Sequence, residues 1–153
     1  MRTRLIPLLA LSLILGTLAP TLIISNETKV VAQSAATPLA KELQGKPAIV
    51  EVYADWCPFC KSAAPTLSSL RDEYKGKVNF IDLDITDRST SQKAEAQAQK
   101  LGLASFYAEN KSVPGSLAII NPATGEIVQK FRGNDNKAEY VEAINAVIAQ
   151  SKK

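Results

Sequence analysis

Two cysteines separated by two residues, with a strand-like run before them and a helix-like run after them, constrain this chain more than any other feature. They are its only cysteines and lie in Trp56-Cys57-Pro58-Phe59-Cys60-Lys61. The apolar stretch Ala48 to Ala54 leads in, and a segment of helical character from about Cys60 to Tyr74 leads out. That order puts sulfur where the first backbone N–H groups of a helix have no internal partner and the peptide dipoles leave partial positive charge. Such a place favours the thiolate, which is the nucleophilic form of cysteine. A second thiol within reach can close a disulfide once the first has attacked. Cys57 therefore reads as the attacking sulfur and Cys60 as the resolving one.

Counting disposes of other uses for the pair. A structural zinc site takes four ligands, mostly Cys and His, and the chain has two Cys and no His. No metal site is expected. Covalent haem attachment needs His directly after the second Cys, where this chain has Lys61. A purely structural disulfide closing so short a loop would stabilise little, because the loop-closure contribution shrinks with loop length. Redox use is the reading that remains.

Tyr53-Ala54-Asp55-Trp56-Cys57-Pro58-Phe59-Cys60-Lys61, with Pro65 beyond it, resembles the active-site stretch of the thioredoxin family. Much later, Ser112-Val113-Pro114 resembles that family's cis-proline loop. The resemblance runs from about residue 38 to the C-terminus. It implies an α/β, thioredoxin-like fold, with a central mixed β-sheet flanked by helices. It also implies roles. Glu51 stands where the family keeps a buried carboxylate, usually Asp, that takes and returns the proton of the resolving thiol. Trp56, Pro58, Phe59, Val113 and Pro114 would form the surface that meets a polypeptide client, with the loop backbone offering strand-like hydrogen bonds. No cofactor beyond the cysteine pair is implied. One departure stands out: Pro-Phe lies between the cysteines, where typical members carry Gly-Pro. This is closer to glutaredoxin-like or oxidant-like relatives and leaves the direction of electron flow open.

The N-terminus is of a different kind. After Met1-Arg2-Thr3-Arg4, residues 5–24 carry no charge and are dominated by Leu and Ile. That is about the length needed to cross a bilayer as a helix, and the preceding arginines favour a cytoplasmic N-terminus. Val30-Val31-Ala32 offers small residues for a signal peptidase, so cleaved signal and uncleaved anchor both stand. Either delivers the remainder outside the cytoplasm, to a periplasm, a thylakoid lumen or the exterior, where dithiol chemistry can be oxidising. The expected organisation is signal or anchor over 1–32, linker over 33–37 and one domain over 38–153. Leaving out 1–32 removes Arg2, Arg4, Lys29 and Glu27 and lowers the formal charge from +3 to +1. The basic balance is thus mostly the leader's, no basic stripe remains elsewhere, and nucleic acid is not an expected partner. Protein thiols and disulfides, and a membrane or soluble redox partner, are. The domain is expected to be monomeric, touching membrane through residues 5–24 only if these are retained.

Within the domain, Pro38 to Gln44 reads as a short helix and Ala48 to Ala54 as a central strand covered on both faces. Glu51 interrupts its apolar run. Pro65 bends the following helix, and Leu67, Leu70 and Tyr74 share its core face. Val78 to Asp84 is the next strand, with Asp82 about where many thioredoxins place a lysine that partners the buried carboxylate. Ser89 to Leu101 is rich in helix formers and stops at Gly102. Phe106 and Tyr107 either line a groove or pack in the core. Ser116–Asn121 and Ile127–Arg132 read as an antiparallel hairpin. A final helix follows a capping box at Asn136 and Glu139 and presents Tyr140, Ile144, Val147 and Ile148 on one face.

The chemistry expected is thiol–disulfide exchange on protein substrates. Two other readings stay open: a redox-inert client-binding module using the groove beside Pro114, and a glutathione-linked, glutaredoxin-like enzyme.

Overall fold

The strand expected before the cysteines, β1 (Ala48–Tyr53), is an inner strand of a four-stranded sheet. The computed structural model describes residues 37–150. The linker before Thr37, the apolar run 5–24, the candidate cleavage site and the last three residues lie outside the described residues. Among those described, no helix is long and apolar enough to cross a membrane.

From Cys57 the chain turns into α1 (Pro58–Glu73), which carries it across to β2 (Asn79–Asp84). β2 pairs parallel with β1, Ala48 opposite Asn79 through Tyr53 opposite Asp84. A helical crossover is what a parallel pair demands. After α2 (Arg88–Leu101) and the short α3 (Ala104–Asn110), β3 (Ser116–Ile120) pairs antiparallel on the other side of β1. β4 (Ile127–Arg132) follows antiparallel on β3, and α4 (Lys137–Gln150) ends the described chain. The order is β2-β1-β3-β4, a mixed sheet flanked by helices, as expected.

Alternation along β1 divides the core in two. Ala48, Val50 and Val52 point to one face, with Ile81 and Leu83 of β2, Ala94 and Ala98 of α2, and Phe106 and Tyr107 of α3. Ile49 points to the other, with Leu67 and Leu70 of α1, Ile119 of β3, and Tyr140, Ile144 and Val147 of α4. By the same alternation Glu51 belongs to the α1/α4 side, which puts a carboxylate beneath the helix that begins at the cysteines.

Several local expectations needed correction. α1 starts two residues earlier than expected, because Pro58 is accommodated at the first helical position, where its missing N–H costs nothing. Pro38 to Gln44 yields only a single 3₁₀ turn, Lys41–Leu43. The Asn136/Glu139 capping box does not form. The Asn136 backbone N–H donates to Asn134 Oδ1, and Asn136 Oδ1 accepts from Ala138 N. Glu139 instead receives the side-chain amides of Asn134 and Asn136. A reciprocal box occurs at α2, where Asp87 Oδ1 accepts from Thr90 N and Thr90 Oγ1 accepts from Asp87 N. Leu103 to Lys111, with no assigned structure in the sequence reading, contains α3; its Phe106 and Tyr107 are core, not groove.

Candidate active site around Cys57 and Cys60

Cys57 is the N-cap of α1, in an extended conformation, and its sulfur accepts a hydrogen bond from Cys60 N at 3.1 Å. A cysteine fills the place usually taken by Ser, Thr, Asp or Asn, whose oxygens accept from the N2 or N3 amide. The local chain forces this. Cys57 N donates to Ala54 O at 3.1 Å, closing the turn out of β1, and Lys61 N donates to Cys57 O to start the helix. Both cysteines are free thiols and both are buried, Cys57 completely.

Cys60 faces inward, packed with Ala54 and Cys57 against Tyr53 and Ile85. Its thiol donates to the Val52 carbonyl at 3.9 Å, and the Cys57 sulfur and the Glu51 carboxylate lie near enough to affect its ionisation. Burial holds this thiol well above the ordinary cysteine range, and its hydrogen bond to Cys57 pushes the same way.

Glu51 is buried, with 6 % of its surface exposed. Burial raises its carboxyl to about 7, the nearby Asp82 adding to the rise, while the Cys60 hydrogen bond and the Arg71 guanidinium pull it down. Asp82 sits directly across from Glu51 in the β1–β2 register. The cation beside this pair of acids comes from α1: Arg71 pairs with Asp82. Tyr140 on α4 lies near enough to feel Glu51; burial first, then that carboxylate, pushes its phenol up to about 12.

The only large apolar side chains exposed among the described residues flank the nucleophile: Trp56 at 57 % and Phe59 at 42 %. Trp56 is held by Nε1 donating to Thr86 O at 3.0 Å, and Asp55 N donates to Thr86 Oγ1 beside it. Pro58 is exposed, and Val113 and Pro114 are half-buried. Gly115, the next residue, ties that loop to β1 through its N–H to Val52 O at 2.8 Å. Its φ is +85°, and a Cβ there would stand 2.6 Å from Phe59 Cβ and 3.4 Å from Cys57 Sγ. Only glycine lets the loop come this close to the sulfur. The structure therefore gathers Glu51, Cys57, Cys60, Phe59 and the loop after Val113 and Pro114, with Trp56 and Pro58 at the surface. Among the described residues, no three His, Cys, Asp or Glu side chains cluster as a metal site.

Gly115, Thr86 and Arg71 were not singled out by sequence reasoning. Gly115 was within reach of it, since glycine directly after the loop proline signals close backbone approach. Nothing local marks Thr86 or Arg71, whose parts depend on pairings across the fold.

The Thioredoxin family model matches residues 27–146. A thioredoxin of Staphylococcus saprophyticus is 30 % identical over 95 residues, covering 61 % of this chain and 78 % of that protein. The "Thiol:disulfide interchange protein TxlA homolog" of Synechocystis is 49 % identical over 51 residues, 33 % of this chain and 28 % of the relative. The rice "Thioredoxin-like protein HCF164, chloroplastic" is 39 % identical over 61 residues, 39 % of this chain and 23 % of the relative. The chain thus aligns with about a quarter of the length of these last two proteins.

Proposed function

The chain belongs to the thioredoxin family, and from that premise we propose that it is a thiol–disulfide oxidoreductase acting on protein substrates outside the cytoplasm, with no cofactor besides Cys57 and Cys60. The observation that carries this reading is the Cys57 sulfur capping α1 above a buried Glu51 carboxyl that lies close enough to the Cys60 thiol for each to affect the other's ionisation. In the reducing direction, the Cys57 thiolate attacks one sulfur of a client disulfide. The S–S bond breaks, the other client sulfur leaves as a thiolate, and a mixed disulfide joins client to Cys57. Glu51 takes the Cys60 proton, and the Cys60 thiolate attacks Cys57 Sγ. The second client sulfur leaves and takes the proton that Glu51 holds, the first takes from solvent the equivalent of the proton that Cys57 gave up on ionising, the Cys57–Cys60 disulfide closes, and two electrons have passed to the client. Oxidation of a client dithiol is the same sequence in reverse.

A carboxyl near neutrality suits this task, because it can both accept and return a proton at working pH. The α1 amides offer charge stabilisation at the Cys57 sulfur each time it leaves or attacks. Trp56, Pro58, Phe59 and the Val113-Pro114 loop are the client-contact surface of this reading. Residues 1–32 act as signal or anchor and 33–37 as linker, with residues 38–153 as the exported domain, a monomer. The apolar run 5–24 supports export.

One observation favours a second reading. Cys57 is fully covered, as it would be in a redox-inert module that merely holds clients beside Pro114. The test is catalysed reduction of insulin by dithiothreitol, with the full chain in mild detergent. Wild type should accelerate it and Cys57→Ser should abolish the acceleration, whereas Cys60→Ser should trap a mixed disulfide. No acceleration by wild type, with client still bound, would favour the module.

A further inference from the structure

Phe59, between the two cysteines, is not a loose surface aromatic. Its ring and Cβ fill space that side chains at two glycines would occupy. A Cβ at Gly115 would lie 2.6 Å from Phe59 Cβ, and one at Gly133 would lie 2.6 Å from Phe59 Cδ1. Both glycines have positive φ, +85° and +60°, so the backbone itself is shaped to seat this side chain. Arg132 then covers the ring, its guanidinium carbon 4.2 Å from the ring centroid. Arg132 is opposite Ser116 in the β3–β4 register, two residues past Pro114. One cation therefore stands where Phe59 and the end of the proline loop converge.

Among the described residues this cation makes no ion pair. The ion pairs among the described residues join Arg71 to Asp82, Lys100 to Glu42 and Lys137 to Glu73; none takes Arg132. Arg132 is exposed, on the edge strand of the sheet. Stacking on an aromatic ring uses a face of the guanidinium and leaves its N–H fork free, in a geometry matched to a carboxylate. The ring also holds the side chain in place beforehand, so less conformational freedom is lost when a partner docks.

We propose that Arg132 is a specificity-determining residue of the exchange site, selecting polypeptide clients that carry an acidic residue beside the reacting cysteine. This rests on the exchange reading above. A client lying along Phe59 and the Pro114 loop would place the residue next to its cysteine under the guanidinium. A carboxylate there gains a charge-assisted pair, while a lysine there meets a like charge.

The test uses two disulfide-bonded peptides identical except for Glu or Lys next to the cysteine, with the full chain in mild detergent. Wild type should reduce the Glu peptide about two- to fivefold more efficiently, a range set by single exposed charge contacts. The difference should lie mainly in KM and shrink in about 1 M salt, where the screening length is near 3 Å. Arg132→Gln should erase the preference and Arg132→Lys should keep part of it, both melting close to wild type. Equal efficiencies in wild type, or a preference surviving in Arg132→Gln, overturns the proposal while leaving the exchange reading intact. Turnover of neither peptide by wild type sinks the exchange reading and the proposal with it.

Discussion

Glu51 shows what a single buried carboxyl does to both stability and rate. Its folded-state pKa is raised, from 4.5 to about 7. Between those values the folded chain binds a proton more tightly than the unfolded chain, so stability falls as pH rises. The contribution is fully present below about pH 4.5 and lost by about pH 7, amounting at most to about 3 kcal/mol at 1.36 kcal/mol per unit. Glu51→Gln carries no charge to bury. Urea titrations should find it more stable than wild type at pH 8, with the fall between pH 4.5 and 7 reduced. Resolution of the mixed disulfide should have the opposite pH trend in wild type, speeding up as Glu51 ionises, and should lose that inflection in Glu51→Gln. Asp82→Asn removes a neighbouring negative charge and frees Arg71, both of which favour ionised Glu51. Its inflection should therefore move to lower pH; an inflection unmoved in Asp82→Asn would mean that Asp82 does not tune this site. The identity of the buried acid was legible in the sequence, as one charge in the apolar run Ala48 to Ala54. Its electrostatic setting was not, because Asp82 and Arg71 meet it only through strand register and helix placement.

Elements with strong internal signals were legible, and those made by their surroundings were not. β1, α1, α2 and the hairpin each announce themselves by apolar periodicity or by a glycine stop, and the mixed sheet follows from their order. α3 has seven residues, below the length at which a helix stands alone, and includes Ser, Phe, Tyr and Asn of middling propensity. It exists because Phe106 and Tyr107 are buried against the sheet, with the Tyr107 hydroxyl donating to Ser91 O at 2.9 Å. The cap of α4 failed for a related reason: Asn134, two residues upstream, competes for the Asn136 N–H. Packing and client recognition predict different outcomes at Phe106. Phe106→Ala should lower stability by about 3–5 kcal/mol in chemical denaturation, while exchange activity per folded molecule, measured at low temperature, stays at the wild-type level. Weakened client reduction at unchanged stability would return Phe106 to a substrate groove.

At the scale of the whole domain, the question is whether two hydrophobic layers make one folding unit. The α2/α3 side and the α1/α4 side form separate clusters on the two faces of the sheet, and β1 contributes alternate residues to both. Neither layer can lose its helices without exposing one face of a strand whose other face is still packed. The cysteines sit at the end of β1, so the site borrows its rigidity from both layers. Ile81→Val on the α2/α3 side and Ile144→Val on the α1/α4 side should each cost about 1 kcal/mol. Because they lie on opposite faces, their effects should add to within about 0.5 kcal/mol in the double variant. The slope of free energy against urea should be unchanged in all three. Trp56, the only tryptophan, sits at the active-site loop and is held by the segment after β2. Its fluorescence should trace the same transition as far-UV circular dichroism. A fluorescence change that precedes the loss of helix would mean that the loop carrying the cysteines opens on its own, and that the covered Cys57 reaches clients by local unfolding without loss of the sheet.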